Sequence, residues 1–340
     1  MSRELLDCGA GSIDDYLELV KQVCQGRKHL SWYLSNLKRL LDPSNPSLAL
    51  IEIHRFMVYD HNQLVGHIAA MVDPRLHHDG RPIGLLGFYA CIDDDDVASL
   101  LFQAAFAHLR SKGCHVARGP VDLSIWHGYR FPVDRADSFL MEPLAPPYYI
   151  GQWTRQGFTA AAKYCSAERT DFDTILEPAK KDYASLVGRG ISIRQVSSDS
   201  FEHDLGVIYD ISSRIFQDSW SFVHCSREEF LYLYKPYKGA VDLNFLDIAS
   251  HEGKDIGFCF SIPDPVHKEA MILKTIAVLP EYQSKGVGAS LLYQQHRKAL
   301  EKGFKKFLYA LIRVGNTVTK LPYPGASLIA EYIAMEKIIG

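Results

Sequence analysis

A glycine-rich hexapeptide, Gln283-Ser-Lys-Gly-Val-Gly288, stands between an apolar stretch rich in β-branched residues and a segment of helical apolar periodicity. This order predicts a strand, a tight turn and the first turn of a helix. Glycine lets the backbone approach a ligand without a Cβ, and the amides of a helix N-terminus favour an anion. Lys285 adds a positive charge. The pattern therefore predicts binding of a phosphate or pyrophosphate group.

The two common nucleotide motifs do not fit this segment. A dinucleotide-binding fingerprint needs a third glycine where this chain has Leu291, and the P-loop pattern of glycine, lysine and serine or threonine is absent. The segment instead fits the pattern Q/R-x-x-G-x-G/A, and its strand, loop and helix resemble the Gcn5-related N-acetyltransferase (GNAT) superfamily.

The resemblance implies that the donor is acetyl-CoA or another acyl-CoA, used as a co-substrate. It implies that the loop amides hold the pyrophosphate and that the strand backbone hydrogen-bonds the pantetheine arm. It also places Asn316 near pantetheine, while capping of a helix is the alternative role for this residue. The cofactor-binding residues so implied are Ile276, Ala277, Val278, Gln283, Ser284, Lys285, Gly286, Val287, Gly288, Ala289 and Asn316.

The catalytic residues are less complete. Many members carry a glutamate base fourteen residues before the first motif glycine, and this chain has Ile272 there. The resemblance implies a tyrosine acid for the leaving thiolate, and Tyr323 lies close to that position but between two prolines, so a packed turn tyrosine is the alternative. His224 has a side chain suited to proton transfer near neutral pH. Tyr323 and His224 are the predicted catalytic residues.

Three residues are candidates for the acceptor site. Trp220 and Phe222 belong to a loop that often walls the acceptor site in this superfamily, although rings tucked under the loop would only pack. Strand alternation would place Ile272, Lys274 and Ile276 on one face. Lys274 would there bind an anionic acceptor, or extend its amine to the sheet edge.

Length and composition set the class of protein. The 340 residues suggest two domains, and 47% apolar and 23% charged residues are typical of a soluble globular chain. The net charge of −3 argues against a nucleic acid partner, apart from a tRNA-linked donor. The first residues lack the apolar core of a signal peptide, no apolar run reaches membrane-spanning length, and seven scattered cysteines lack zinc spacing. We expect a cytoplasmic location, no membrane and no metal.

The chain reads as two copies of one domain. A shift of 190 residues, from Gly113 to Gly303, places Asp96 on Gly286 and matches strand, loop, helix and helix-ending glycine without a gap. Pro146-Pro-Tyr-Tyr149 and Gln156-Gly157-Phe158 resemble the tyrosine helix and closing turn of the family, or form a rigid loop. The fold class predicted is α/β (α+β), with tandem GNAT folds that each have a mixed, mostly antiparallel sheet flanked by helices. We place a degenerate N-terminal domain at 1–175 and a C-terminal domain at 176–340. The join is expected between Asp173 and Arg189, where Glu177-Pro178 and Gly188-Arg-Gly190 interrupt the periodicity.

The N-terminal copy has Asp93-Asp-Asp-Asp96 where the C-terminal copy has its glycine loop. Acidic residues cap helix amides but also fill an anion site with negative charge. A pyrophosphate within ~4 Å would meet repulsion of a few kcal/mol at an effective dielectric of about 20. We therefore expect acyl-CoA in the C-terminal copy only.

The leading hypothesis is an acyl-CoA-dependent N-acyltransferase, acetyl by preference, acting on a small amine or amino-acid-like acceptor by direct attack on the thioester. A second hypothesis keeps the fold and takes its donor from an aminoacyl-tRNA or an acyl carrier protein. A third is a protein that binds acyl-CoA without turnover. The acceptor, the acyl length and the oligomeric state stay open.

Overall fold

The computed structural model describes residues 3–8, 13–133, 139–315 and 325–340. The chain divides into two compact units. Unit 1 contains Met1–Lys163, Trp220–His224 and Glu331–Gly340, and unit 2 contains Tyr164–Ser219 and Cys225–Ala330. The domain boundary between 175 and 176 concerns the sequence copies, and it stays a prediction.

Unit 1 is a sheet with helices on it. Its helices are α1 (Ile13–Val23), α2 (Leu30–Leu40), the single turn α3 (Ser47–Leu50), α4 (Asp95–Ser111) and α5 (Tyr148–Arg155). Its strands are β1 (Glu4–Cys8), β2 (Glu52–Asp60), β3 (Gln63–His78), β4 (Arg81–Cys91), β5 (Val116–Gly119), the short strands β6 (Val121–Asp122), β7 (Gly128–Tyr129) and β8 (Phe131–Pro132), the start of β9 (Thr159–Arg169) and the end of β15 (Ser327–Ile338).

Unit 2 repeats this plan. Its helices are α6 (Phe172–Gly188), α7 (Phe201–Ile215), α8 (Arg227–Tyr234) and α9 (Val287–Glu301). Its strands are the end of β9, then β10 (Ile191–Gln195), β11 (Leu246–His251), β12 (Lys254–Pro263), β13 (Ala270–Val278), β14 (Lys306–Arg313) and the start of β15.

The strands of the two units have the same pairing scheme. In unit 1 the order is β1-β2-β3-β4-β5-β15, and in unit 2 it is β10-β11-β12-β13-β14-β9. In each, the first four strands are antiparallel, the fourth and fifth are parallel, and the last is antiparallel again. The predicted repeat and fold class are therefore confirmed. The sixth strand of unit 1 comes from the end of the chain, and that of unit 2 from its middle.

Each sheet packs one face against amphipathic helices. In unit 1 the core joins Leu101, Phe102 and Leu109 of α4 to Trp153 of α5. In unit 2 Leu291 and Leu292 of α9 meet Leu186 of α6 and the inner side chains of β13 and β14. Burial of such apolar faces is the main term that stabilises both layers. Among the described residues, no helix is both long and apolar enough to cross a membrane.

Two sequence predictions about elements are wrong. The connection from β4 to α4 has three residues (92–94), whereas that from β13 to α9 has eight (279–286), so the copies do not match without a gap. The break in periodicity predicted at Glu177-Pro178 is absent, because Pro178 lies inside α6, whose Leu186 side is anchored in the core.

Unit 1 buries His29 and His67, and unit 2 buries His296. His67 of unit 1 bonds the carbonyl oxygen of Phe88 through Nδ1, and His296 of unit 2 bonds the Tyr309 hydroxyl at 2.8 Å through Nε2. Burial lowers the pKa of His67 to about 4 and that of His296 to about 3, because the charged form is poorly solvated in the interior. Both imidazoles are therefore neutral in the folded protein near pH 7.

Replacing Gly87 with alanine should destabilise unit 1. A Cβ there would lie 1.9 Å from the Val121 carbonyl oxygen, and backbone atoms cannot move aside cheaply. We expect Gly87→Ala to lower the free energy of unfolding by about 3 kcal/mol or more in urea denaturation. Gly188→Ala is the matched control, since nothing lies within 4 Å of its Cβ position. Equal urea midpoints for Gly87→Ala and wild type would show that the packing is misread.

The buried histidines predict a loss of stability in mild acid. Because the pKa in the folded state lies below the unfolded value of 6.5, the unfolded chain binds more protons as the pH falls from about 6.5 towards 4. At pH 4, His296 alone should cost on the order of 3 kcal/mol. We expect His296→Gln to flatten the pH dependence of the free energy of unfolding in this window, compared with wild type. An unaltered slope in His296→Gln would contradict the assignment.

Candidate functional site

Strand β13 leaves its parallel neighbour halfway along its length. The ladder with β14 contains four pairs and ends at Leu273 with Tyr309, whereas pairing with β12 continues to Val278. Within the described ranges, the hydrogen bonds of residues 276–278 run to β12 and to Gln283. An edge of extended backbone therefore opens between β13 and β14, where an extended ligand can bind as an added strand.

The residues after β13 turn back through two left-handed positions. Ser284 has a φ of 59° and Gly286 a φ of 88°, and Gly286 is the N-cap of α9. The left-handed conformation is the reason for glycine at 286, because an L side chain is strained there. At Gly288 a Cβ would meet only ordinary contacts, 3.8 Å from Ile276 and 3.9 Å from Val278.

Two side chains hold this turn. Gln283 donates from Nε2 to the carbonyl oxygen of Val278 at 3.0 Å, which ties the turn to the end of β13. Arg189, just after α6, donates from Nη2 to the carbonyl oxygen of Lys285 at 2.8 Å. The Lys285 amine lies 5.2 Å from the centre of the Tyr282 ring. The side chains of Gln283 and Arg189 therefore both restrain the turn, and Lys285 and Arg189 place two positive charges at it.

The first amides of α9 have no side-chain acceptor at the N-cap, which is Gly286. The first four N–H groups of any helix have no acceptor inside it. Gly286 contributes only its carbonyl oxygen, which accepts from Ser290 at 3.0 Å, and in the described part of the chain no side chain caps this helix. Together with the positive end of the helix dipole, these amides suit a phosphate oxygen.

The matching helix of unit 1 has its own cap. Asp94 accepts from the amides of Asp96 and Val97 at 3.0 and 3.1 Å, so the predicted acidic cap is confirmed, with Asp94 at the N-cap. The Arg3 guanidinium, paired with Asp94, holds the pKa of that carboxyl below its usual range. Arg155 pairs with Asp95 at 2.6 Å. A built-in carboxylate already occupies the anion position of α4.

The strand opening of unit 1 is also filled. The ladder of β4 with β5 ends at Leu85, as in unit 2, but side chains bond the backbone beyond it. The amide of Cys91 donates to the Tyr149 hydroxyl at 3.0 Å, and its carbonyl oxygen accepts from Tyr148 at 2.9 Å. Gln152 donates to the carbonyl oxygen of Ile92 at 2.8 Å. Helix α5 therefore takes the place that an extended ligand would need.

The prediction that Ile272, Lys274 and Ile276 share one face of β13 is wrong. A β-bulge at Lys274 shifts the register with β12 between Phe260 and Ser261. After the bulge Ile276 turns to the α9 core with Leu273, and it does not share a face with Ile272. Lys274 is half-buried beside the opening, and its role towards an acceptor stays a prediction. Glu269 pairs with Lys305 at the surface, as a solvated turn residue would.

The loop with the predicted acceptor residues is part of unit 1. Arg118 donates to Ser221, Trp126 donates from Nε1 to the Val223 carbonyl oxygen at 3.0 Å, and Arg75 donates to the His224 carbonyl oxygen at 3.0 Å. Trp220 stacks with Tyr129 and Phe222 lies against Trp126. These contacts favour the packing role for both half-buried rings, while the His224 side chain is exposed.

Two predicted residues, Asn316 and Tyr323, lie outside the described residues. Sequence reasoning missed Arg189 and the pair Tyr309–His296. Tyr309 is the last residue of the β13–β14 ladder, so it stands where the strands part, and burial raises its pKa. The signal for Arg189 was its position beside a helix-ending glycine pair, Gly188 and Gly190, but its partner is 96 residues away in the chain.

Comparison with known proteins agrees with this geometry. Residues 207–320 match the family model described as Acetyltransferase (GNAT) family. Protein YghO of Escherichia coli is 25% identical over 228 residues, covering 66% of this chain and 58% of that protein. The bacterial ceramide synthase of Caulobacter vibrioides is 25% identical over 236 residues, covering 68% of this chain and 62% of that protein. The chain thus spans 58% and 62% of the length of these curated relatives.

The fold of the whole chain also has a solved counterpart. A tandem GNAT protein from the clavulanic acid biosynthesis pathway superposes with a TM-score of 0.60 at 11% identity, covering 100% of this chain and 99% of that one. At this identity the likeness concerns the fold. Residues 207–320 therefore match a GNAT acetyltransferase domain, and the whole chain has a fold similar to that of a tandem GNAT protein.

Proposed function

We propose that the protein is an acyl-CoA-dependent N-acyltransferase with its donor site in unit 2. The observation that carries the proposal is a contrast within one chain: the β13 edge and the α9 amides are open, while the corresponding edge and amides of unit 1 are bonded to Tyr149 and Asp94. Acyl-CoA has the two parts that these features suit. Its pantetheine arm contains amides for a strand edge, and its diphosphate is an anion for a helix N-terminus.

The reaction follows from the class of donor. A neutral amine attacks the thioester carbon, the C–N bond forms, the C–S bond breaks, and the proton lost by the amine ends on the leaving thiolate or on solvent. Positioning on β13 supplies much of the rate, because two bound reactants react as one molecule. His224 is exposed and is our candidate for proton transfer, with Tyr323 as the candidate acid for the thiolate.

The acceptor is a primary amine. We propose a small amine or amino-acid-like compound. A second candidate is a long-chain amine, because a relative with 25% identity is named bacterial ceramide synthase. A ceramide is a long-chain amino alcohol acylated on nitrogen by a fatty acid, so that chemistry is also transfer of an acyl group to an amine.

Gly286→Ala should weaken CoA binding. The left-handed φ of 88° costs an alanine about 1–2 kcal/mol, and the turn must distort or rearrange to relieve it. We expect calorimetry to give one CoA per chain in wild type, and at least a tenfold higher Kd for Gly286→Ala. Gly239→Ala, with nothing within 4 Å of its Cβ position, is the control. Two CoA molecules per chain, or an unchanged Kd, would refute the donor assignment.

An amine panel should identify the acceptor class. Free thiol release would be measured with acetyl-CoA and palmitoyl-CoA against amino acids, small polyamines and a long-chain amino alcohol. We expect amine-dependent release with at least one acceptor, and the fastest donor–acceptor pair separates the small from the long-chain candidate. CoA binding without thiol release for any amine would indicate a binding protein. Activity only with a thioester of acyl carrier protein would overturn CoA as the donor.

A further inference from the structure

We propose that Arg189 is a positioning residue of the donor site, which sets the direction of the Gly286 amide by holding the Lys285 carbonyl oxygen. This inference rests on the proposed function, because it concerns the diphosphate of the donor. It adds a residue that lies outside the stretch 207–320 matched by the family model.

The contact is short and comes from a fixed support. Arg189 Nη2 lies 2.8 Å from the Lys285 carbonyl oxygen, and Nε lies 3.4 Å from the carbonyl oxygen of Ser185. Arg189 ends α6, and Leu186, one turn earlier, is fully buried in the core with α9. The guanidinium is therefore held at the turn by a helix that is itself packed on α9.

Because the peptide unit is planar, the hydrogen bond from Arg189 to the Lys285 carbonyl oxygen also fixes the direction of the Gly286 N–H. In a trans peptide the carbonyl oxygen of one residue and the N–H of the next lie in one plane and point in opposite directions. The Lys285–Gly286 bond is trans, since among the described residues only Gly119–Pro120 is cis. With the Lys285 carbonyl oxygen directed to Arg189, the N–H of Gly286 must point away from it. That amide then joins the first N–H groups of α9.

The turn needs such a restraint. The peptide unit preceding a left-handed glycine can rotate between two orientations at small cost, because glycine accepts both backbone conformations. Ser284, at a φ of 59°, is also left-handed, so the segment from 284 to 286 contains two residues of unusual backbone conformation. A charged donor on the intervening carbonyl favours one orientation. The Arg189 hydrogen bond thus prepares the amide before the diphosphate binds.

Three variants separate hydrogen bonding from charge. Arg189→Ala removes both, Arg189→Gln keeps a donor without the charge, and Arg189→Lys keeps the charge on a different geometry. For positioning, we expect Arg189→Ala to lower kcat/KM for acetyl-CoA about tenfold, the size of one hydrogen bond to a charged group, and Arg189→Gln to restore most of it. The effect should vanish with acetylpantetheine, which lacks the diphosphate.

Opposite outcomes overturn the inference. If kcat/KM for acetyl-CoA is as low in Arg189→Gln as in Arg189→Ala, while Arg189→Lys has the wild-type value, Arg189 acts through its charge. An equal loss with acetylpantetheine would show general damage to unit 2. Arg297→Gln is the matched control, since this arginine pairs with Glu301 on the same unit and its loss changes the net charge equally.

Hydrogen exchange of the free protein tests the role of Arg189 independently of acyl-CoA binding. The amide of Ser290 donates to the Gly286 carbonyl oxygen, so its hydrogen exchange reports the first turn of α9. We expect Arg189→Ala to speed this exchange several-fold and Arg189→Gln to leave it near wild type. Absence of CoA binding in wild type would refute the proposed function alone, whereas unchanged Ser290 exchange in Arg189→Ala would refute the role of Arg189.

Discussion

The amides at the start of a helix need acceptors, and this chain satisfies them in two ways. In α4 the Asp94 carboxylate accepts from two of them and is held by Arg3. In α9 a left-handed glycine takes the N-cap position and offers no side chain. An amide that is buried without an acceptor is costly, so the second arrangement is stable only where water or an anion reaches the helix end. The chain thus contains one helix start that a side chain caps and one whose N-cap is a glycine.

The strand openings obey the same rule. In both units a short parallel ladder ends while the antiparallel neighbour continues, which leaves backbone polar groups without a strand partner. Unit 1 supplies Tyr148, Tyr149 and Gln152 from α5, and Trp153 of the same helix fills the interior beside Gly119, where a Cβ would lie 2.4 Å from the indole. These side chains of α5 therefore satisfy the backbone groups beside the parallel ladder of unit 1, and its rings add buried apolar area to the core.

Much of this fold follows from local sequence pattern. The apolar periodicity of α1 and α8 and the apolar run along β12 favour those elements, because their burial is set by the residues themselves. The glycine turn is likewise predictable from Gly286. Features that depend on a residue far away in the chain cannot be predicted from the local sequence. The bulge at Lys274 exists only against β12, the Arg189 contact joins residues far apart, and α6 continues through Pro178 because packing on α9 outweighs local propensity.

The two copies differ first in the length of the connection between strand and helix, and only then in its charge. The tetra-aspartate suggested that repulsion excludes a diphosphate, yet Asp94 and Asp95 are paired with Arg3 and Arg155, which reduces the local negative field. The three-residue connection of unit 1 has no room for the turn that eight residues build in unit 2. A glycine at position 94 would therefore uncap α4 without creating a cradle. The acidic residues are best understood as the caps that a short connection requires, once no ligand satisfies the helix end.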